Sequence, residues 1–168
     1  MIVLSNAGPL IALSKLNRLS LLSELYGTVH VPHTVQGEVV TSQGRPDAVT
    51  ARLFLQHYRW PVLEASPEVI QDYRPPVALD AGERELLALA RTLQDPLLLL
   101  DDEVARSEAR RLGFRLKGTL GILVQAYRSE ILPFSEVELL ILEIAARPDI
   151  WIGEKLCNAV LDELRPPS

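Results

Sequence analysis

The chain has 168 residues, 48% of them hydrophobic and 23% charged, with a net charge of −5. That balance fits a single globular domain over residues 1–168 and gives no global pull toward nucleic acid, so such binding would need a local patch. One cysteine, Cys157, excludes an intrachain disulfide or a cysteine zinc cluster, and His30, His33 and His57 lack metal-ligand spacing. The opening residues lack the pattern of a signal peptide, and no run approaches the roughly 18 apolar residues of a membrane span, so a soluble cytoplasmic protein with no membrane partner is expected.

Ile2-Val3-Leu4 reads as a short buried strand, broken by Ser5-Asn6-Ala7-Gly8-Pro9. Pro9 suits the first turn of a helix. Leu10, Ile11, Leu13, Leu16 and Leu19 continue at helical spacing, and a second short helix is expected over 19–25. Val29-His30-Val31 is a second strand, and Pro32 opens a helix with Val35, Glu38 and Val39 on one face. Residues 41–46 are a loop by composition, followed by a helix over 47–59. Trp60-Pro61-Val62-Leu63 reads as a strand or an extended link, and 73–78 as an extended connector.

Leu79-Asp80-Ala81-Gly82-Glu83 begins a helix expected to reach Gln94. Asp95-Pro96 then signals a turn. The four leucines Leu97 to Leu100 are too few for an independent helix and read as a strand buried on both faces. A helix over 103–112 stops at Gly113, and Phe114-Arg115-Leu116 is a fourth strand. Helices open at Gly118-Thr119 and at Pro133-Phe134-Ser135, and a last one covers 150–164. Strands alternating with helices predict an α/β fold: a central, mostly parallel sheet of four or five short strands flanked by helices.

Ligands of open parallel sheets gather outside the carboxyl ends of the strands. Asp101 and Asp102 end the leucine strand, and adjacent carboxylates repel unless something positive is near. Asp102 also suits an N-cap. Asn6 ends the first strand on the same edge if the two run parallel; its structural reading is a turn residue. Glu38 lies on its helix between Val35 and Val39, either at the rim of the core or aimed at a site. Glu83 sits above Leu86 and Leu87, and its alternative reading is a capping box with Asp80. Together Asn6, Glu38, Glu83, Asp101 and Asp102 form a hard oxygen set suited to Mg²⁺ or Mn²⁺. Such an ion would serve a phosphodiester hydrolase.

Five pieces resemble the PIN-domain family, in its order and over nearly the whole length. They are Val3-Leu4-Ser5-Asn6-Ala7-Gly8-Pro9-Leu10-Ile11, Val31-Pro32-His33-Thr34-Val35-Gln36-Gly37-Glu38, Leu79-Asp80-Ala81-Gly82-Glu83, Leu100-Asp101-Asp102-Glu103-Val104-Ala105-Arg106 and Lys117-Gly118-Thr119-Leu120-Gly121-Ile122-Leu123. The resemblance, to VapC-type toxins in particular, implies a metal-dependent endoribonuclease of a toxin–antitoxin pair. It implies catalysis by Glu38, Glu83, Asp101 and Asp102, and metal binding by these with Asn6. Asp102 matches the family's strand-end aspartate, and Glu83 stands where many members carry Asp. Asn6 stands where most members carry an aspartate ligand, which removes one negative charge. The alternative is therefore a PIN-fold module that binds RNA or a protein partner without cleavage.

Arg106, Arg110, Arg111, Arg115 and Lys117 form the densest positive cluster. Arg106 and Arg110, with Thr119 at a helix start, are candidates for RNA phosphates. The structural reading is a solvated face paired with Glu103 and Glu108, and a capping role for Thr119. The apolar C-terminal third suggests a homodimer interface, and the resemblance implies a small antitoxin partner.

Overall fold

The leucine strand lies at the centre of the main sheet. In the computed structural model, which describes residues 1–41 and 56–167, β4 (Leu97–Leu99) pairs in parallel with β1 (Val3–Ser5) on one side and β5 (Arg115–Lys117) on the other. A second parallel ladder joins β2 (Val31–Pro32) to β3 (Val62–Leu63). A parallel bridge, Leu4↔His30, links the ladders: the His30 amide donates to the Val3 carbonyl at 2.8 Å, and the Ser5 amide to the His30 carbonyl at 3.0 Å. This is the expected α/β architecture with a parallel sheet. β4 is apolar throughout because it is covered on both faces; Leu98, Leu99 and the following Leu100 are fully buried.

Helices α1 (Ala7–Lys15) and α2 (Ser20–Tyr26) follow β1. α3 (His33–Thr41) follows β2 at once. Pro32 closes that strand instead of opening the helix, since proline's missing N–H is tolerated at a strand end. α4 (Pro67–Asp72) lies where the sequence reading places no helix, although Ser66-Pro67-Glu68 is a helix start: Ser66 Oγ accepts from the Val69 amide at 3.3 Å. α5 (Ala81–Ala90) ends earlier than the expected Gln94, and α6 (Glu103–Arg111) leads into Gly113, whose φ of +84° favours glycine. α7 (Thr119–Arg128), α8 (Phe134–Ala146) and α9 (Glu154–Leu164) complete the described elements. α9 starts later than the expected residue 150, at a Gly153 N-cap. Of the loop expected over 41–46 and the helix expected over 47–59, Thr41 closes α3 and 56–58 are helical; residues 42–55 lie outside the described residues.

The chain forms two compact units, one through Thr119 and one from Leu120. The first holds the sheet and a core that includes Leu4, Leu86, Leu87, Leu98 and Leu100. In the second, α8 and α9 pack on each other. Among the described residues no helix is long and apolar enough to cross a membrane.

A buried carboxylate in the first unit joins a buried tyrosine to an exposed arginine. Glu108, 2% exposed, accepts from Arg111 Nε at 2.7 Å and Nη2 at 2.8 Å, and from the Tyr73 hydroxyl at 3.1 Å. Arg111 holds the Glu108 carboxyl below the usual carboxylate range, against its burial and with help from Tyr73. The stability this adds is present above the usual carboxylate pKa and is lost as pH falls through the depressed folded value. Tyr73→Phe removes one hydrogen bond to a charged group and is expected to lower the unfolding free energy by about 1.5 kcal/mol in urea denaturation at neutral pH.

Candidate active site

The parallel register of β1 and β4 carries their C-terminal ends to one edge. The Asn6 amide donates to the Leu99 carbonyl at 2.9 Å, which seats Asn6 beside the end of the leucine strand. Asn6 is the N-cap of α1, yet its side chain makes no capping hydrogen bond. The third helical residue is Pro9, which has no N–H to offer. Asn6 Oδ1 is buried without a hydrogen-bond partner, on a residue only 7% exposed. A buried acceptor without a donor costs on the order of 1–3 kcal/mol unless something else meets it.

The first turn of α5 comes up against this atom. A Cβ added to Gly82 would lie 2.8 Å from Glu38 Oε1, 3.2 Å from Val35 Cγ2 and 3.4 Å from Asn6 Oδ1. Glycine thus leaves room where the oxygens of Glu38 and Asn6 converge. This requirement escaped the sequence reading, although a glycine in the first turn of a strong helix was its signal.

Glu83 follows Gly82 and is 8% exposed. The capping box is present: Asp80 Oδ1 accepts from the Glu83 amide at 2.7 Å, and Glu83 Oε2 accepts from the Asp80 amide at 2.9 Å. The box uses one oxygen of each carboxylate, so it fixes Glu83 without exhausting it. Burial pushes the Glu83 carboxyl up; the Asp80 backbone opposes this, and the charges of Asp80 and Asp102 add to it. Burial also pushes Glu38 up, followed by repulsion from Asp80 and Glu83, against a hydrogen bond from the Gly82 backbone. Glu38, Asp80, Glu83 and Asp102 therefore share one field.

Asp102 is the N-cap of α6, with Oδ1 accepting from the Ala105 amide at 2.9 Å. Asp101 is engaged by Thr119. Its Oδ1 accepts from the Thr119 amide at 2.7 Å and its Oδ2 from the Thr119 hydroxyl at 2.6 Å. Burial pushes the Asp101 carboxyl up, while Thr119 and Arg106 pull it down. Thr119, read as an RNA contact, is fully buried and engaged by Asp101. Arg106 Nη1 donates to the Leu100 carbonyl at 2.9 Å, and Arg110 pairs with Glu103 at 3.0 Å. Arg111 pairs with Glu108 and Arg115 with Asp95.

A buried carboxylate outside this group holds the start of the helix that carries Glu38. Glu85, 5% exposed, accepts from the Thr34 amide at 2.8 Å and the Ala65 amide at 3.1 Å, which fixes the start of α3. In the sequence it borders the apolar stripe Leu86, Leu87, Leu89, the position that marks it as buried.

Among the described residues no three His, Cys, Asp or Glu side chains stand close enough to form a ready-made metal cluster. The donor chemistry around Gly82 nonetheless suits a hard divalent cation: an orphaned carbonyl oxygen beside carboxylates that burial and mutual repulsion make costly to ionise. A cation at this point would answer both.

A family model described as the PIN domain matches residues 2–166, and so spans both units. No curated protein matches the chain. PIN domains are generally nucleases that use divalent metal ions. With the matching model covering nearly the whole sequence, on a parallel sheet whose edge gathers acidic side chains, the chain belongs to the PIN-domain family.

Proposed function

We propose that the protein is a metal-dependent endoribonuclease in which Glu38, Glu83 and Asp102, with the carbonyl oxygen of Asn6, hold Mg²⁺ or Mn²⁺. The observation that carries this reading is Asn6 Oδ1, buried and without a hydrogen-bond partner, beside Glu38 Oε1 over the gap at Gly82. A divalent ion supplies Lewis-acid polarisation of a scissile phosphodiester and of the attacking water. The chain's own part is to aim the donors. The capping box fixes Glu83, the α6 cap fixes Asp102, and the Leu99 carbonyl anchors the Asn6 backbone. Arg106 and Arg110, on α6 after Asp102, are the cations assigned to RNA phosphates.

The finer biological role proposed is the VapC-type toxin of a toxin–antitoxin pair, acting in the cytoplasm on RNA and restrained by a small antitoxin protein. We also propose a homodimer. Leu139, Leu142, Trp151 and Leu156 are exposed in the second unit, and large exposed apolar side chains favour association. A binding module without cleavage is the second reading, favoured by one feature: Asn6 contributes an oxygen but no charge.

The central test is cleavage of a mixed RNA pool with Mn²⁺, alongside calorimetric Mn²⁺ titration. Wild type is expected to bind Mn²⁺ saturably and cleave, and Glu83→Gln to lose both while keeping its thermal transition. Binding by wild type without cleavage would select the second reading. Asn6→Asp restores a charge at the site and should tighten Mn²⁺ by on the order of tenfold.

Because the Glu38 and Glu83 carboxyls are raised, protons compete with metal from above the usual carboxylate range. Mn²⁺ affinity should weaken as pH falls into that interval. The stability these two groups add to metal-free protein has the opposite trend: present below the usual carboxylate pKa, lost as pH rises through the raised values. Titrations at several pH values, with thermal melts of metal-free protein, check both signs.

A further inference from the structure

The carboxylate beside Asp102 is held by the protein itself. Each Asp101 oxygen takes one short hydrogen bond from Thr119, at 2.7 Å from the amide and 2.6 Å from the hydroxyl. Backbone closes on it from two sides. A Cβ on Gly118 would lie 2.7 Å from Asp101 Oδ1 and 3.0 Å from Arg106 Nη1, and a Cβ on Gly8 would lie 3.4 Å from Asp101 Oδ2. Gly118 must therefore be glycine for the carboxylate to sit where it does. The same strand end is strapped twice more: Arg106 Nη1 donates to the Leu100 carbonyl at 2.9 Å, and the Leu100 amide donates to the Lys117 carbonyl at 2.8 Å.

Given the metal site argued above, on which this assignment rests, we propose that Asp101 is a positioning residue and not a metal ligand: clamped by Thr119 between Gly8 and Gly118, it fixes the strand end from which Asp102 serves the site. Each Asp101 oxygen already gives one lone pair to a short hydrogen bond from a fully buried threonine, and the backbone at Gly118 and Gly8 crowds the space around the rest. Asp102 is differently placed. Its cap to Ala105 uses Oδ1, and its charge is felt at Glu83. The two adjacent aspartates thus divide the work, one turned into the fold and the other toward the acidic group. The Gly118-Thr119 pair is then the receptor for Asp101, which explains a threonine that is buried and not exposed to nucleic acid.

The test is a double-mutant cycle on the intact chain, Asp101→Asn, Thr119→Val and the pair, with Thr119→Ser as the conservative variant and Glu83→Gln as the ligand-loss reference. Calorimetric Mn²⁺ affinity, kcat for RNA cleavage and Tm are read on each. Positioning through one clamp predicts that both single variants lower kcat by about tenfold, that the pair is no worse than either, and that any loss of Mn²⁺ affinity is the same in both and smaller than in Glu83→Gln. Thr119→Ser keeps both hydrogen bonds and should retain wild-type kcat. Loss of Mn²⁺ affinity in Asp101→Asn as large as in Glu83→Gln, with Thr119→Val unaffected, would make Asp101 a ligand and overturn the assignment. A fall in Tm with kcat and affinity unchanged would make the clamp purely structural and overturn it too. Wild type that binds no Mn²⁺ would remove the metal reading and this assignment together, an outcome distinct from both.

Discussion

Everything at the candidate site depends on the parallel pairing of β1 with β4. The register Val3↔Leu97 to Ser5↔Leu99 places the residue after each strand on one edge, and the bond from the Asn6 amide to the Leu99 carbonyl carries that pairing one step past the strand. A shift by one residue would turn each side chain to the opposite face. Such a slip would move Asn6 away from Glu38 and from the Leu99 carbonyl that seats it. The buried leucines of β4 resist it, because both faces of the strand are already filled.

Around that edge, each acidic side chain is fixed by a different local device. Asp80 and Glu83 cap each other's backbone, Asp102 caps α6, and Glu85 fixes the start of the helix that presents Glu38. These bonds consume some carboxylate oxygens and leave others. Structural and functional readings of such residues are therefore not rivals here. The capping box between Asp80 and Glu83 is real, and it is also what holds Glu83 next to Gly82 and Asn6.

The repulsion built into this arrangement has a direction. Glu38 and Glu83 are both pushed toward their protonated forms by burial first and by neighbouring carboxylates second. Asn6 brings an oxygen to this edge but no charge. Its buried, unsatisfied carbonyl keeps an oxygen in place while lowering the local charge, which trades attraction for a cation against the cost of holding another carboxylate out of water.

The sequence by itself determined the alternation of strands and helices, the leucine strand at the sheet centre, and the residues at the strand ends. Those features follow from local patterns: apolar runs, capping residues, and the glycines and prolines that break helices. It also carried the family, through five short pieces in order. It did not reveal α4, whose start signal is short, nor the clearances at Gly82 and Gly118, which exist only when distant segments meet. The role of Asp101 was decided in the same way. In the sequence it is half of an acidic pair; only the fold brings Thr119, eighteen residues later, to both of its oxygens and turns it away from its neighbour. A hydrogen bond of that separation leaves no periodic trace along the chain, because it depends on where β5 ends relative to β4.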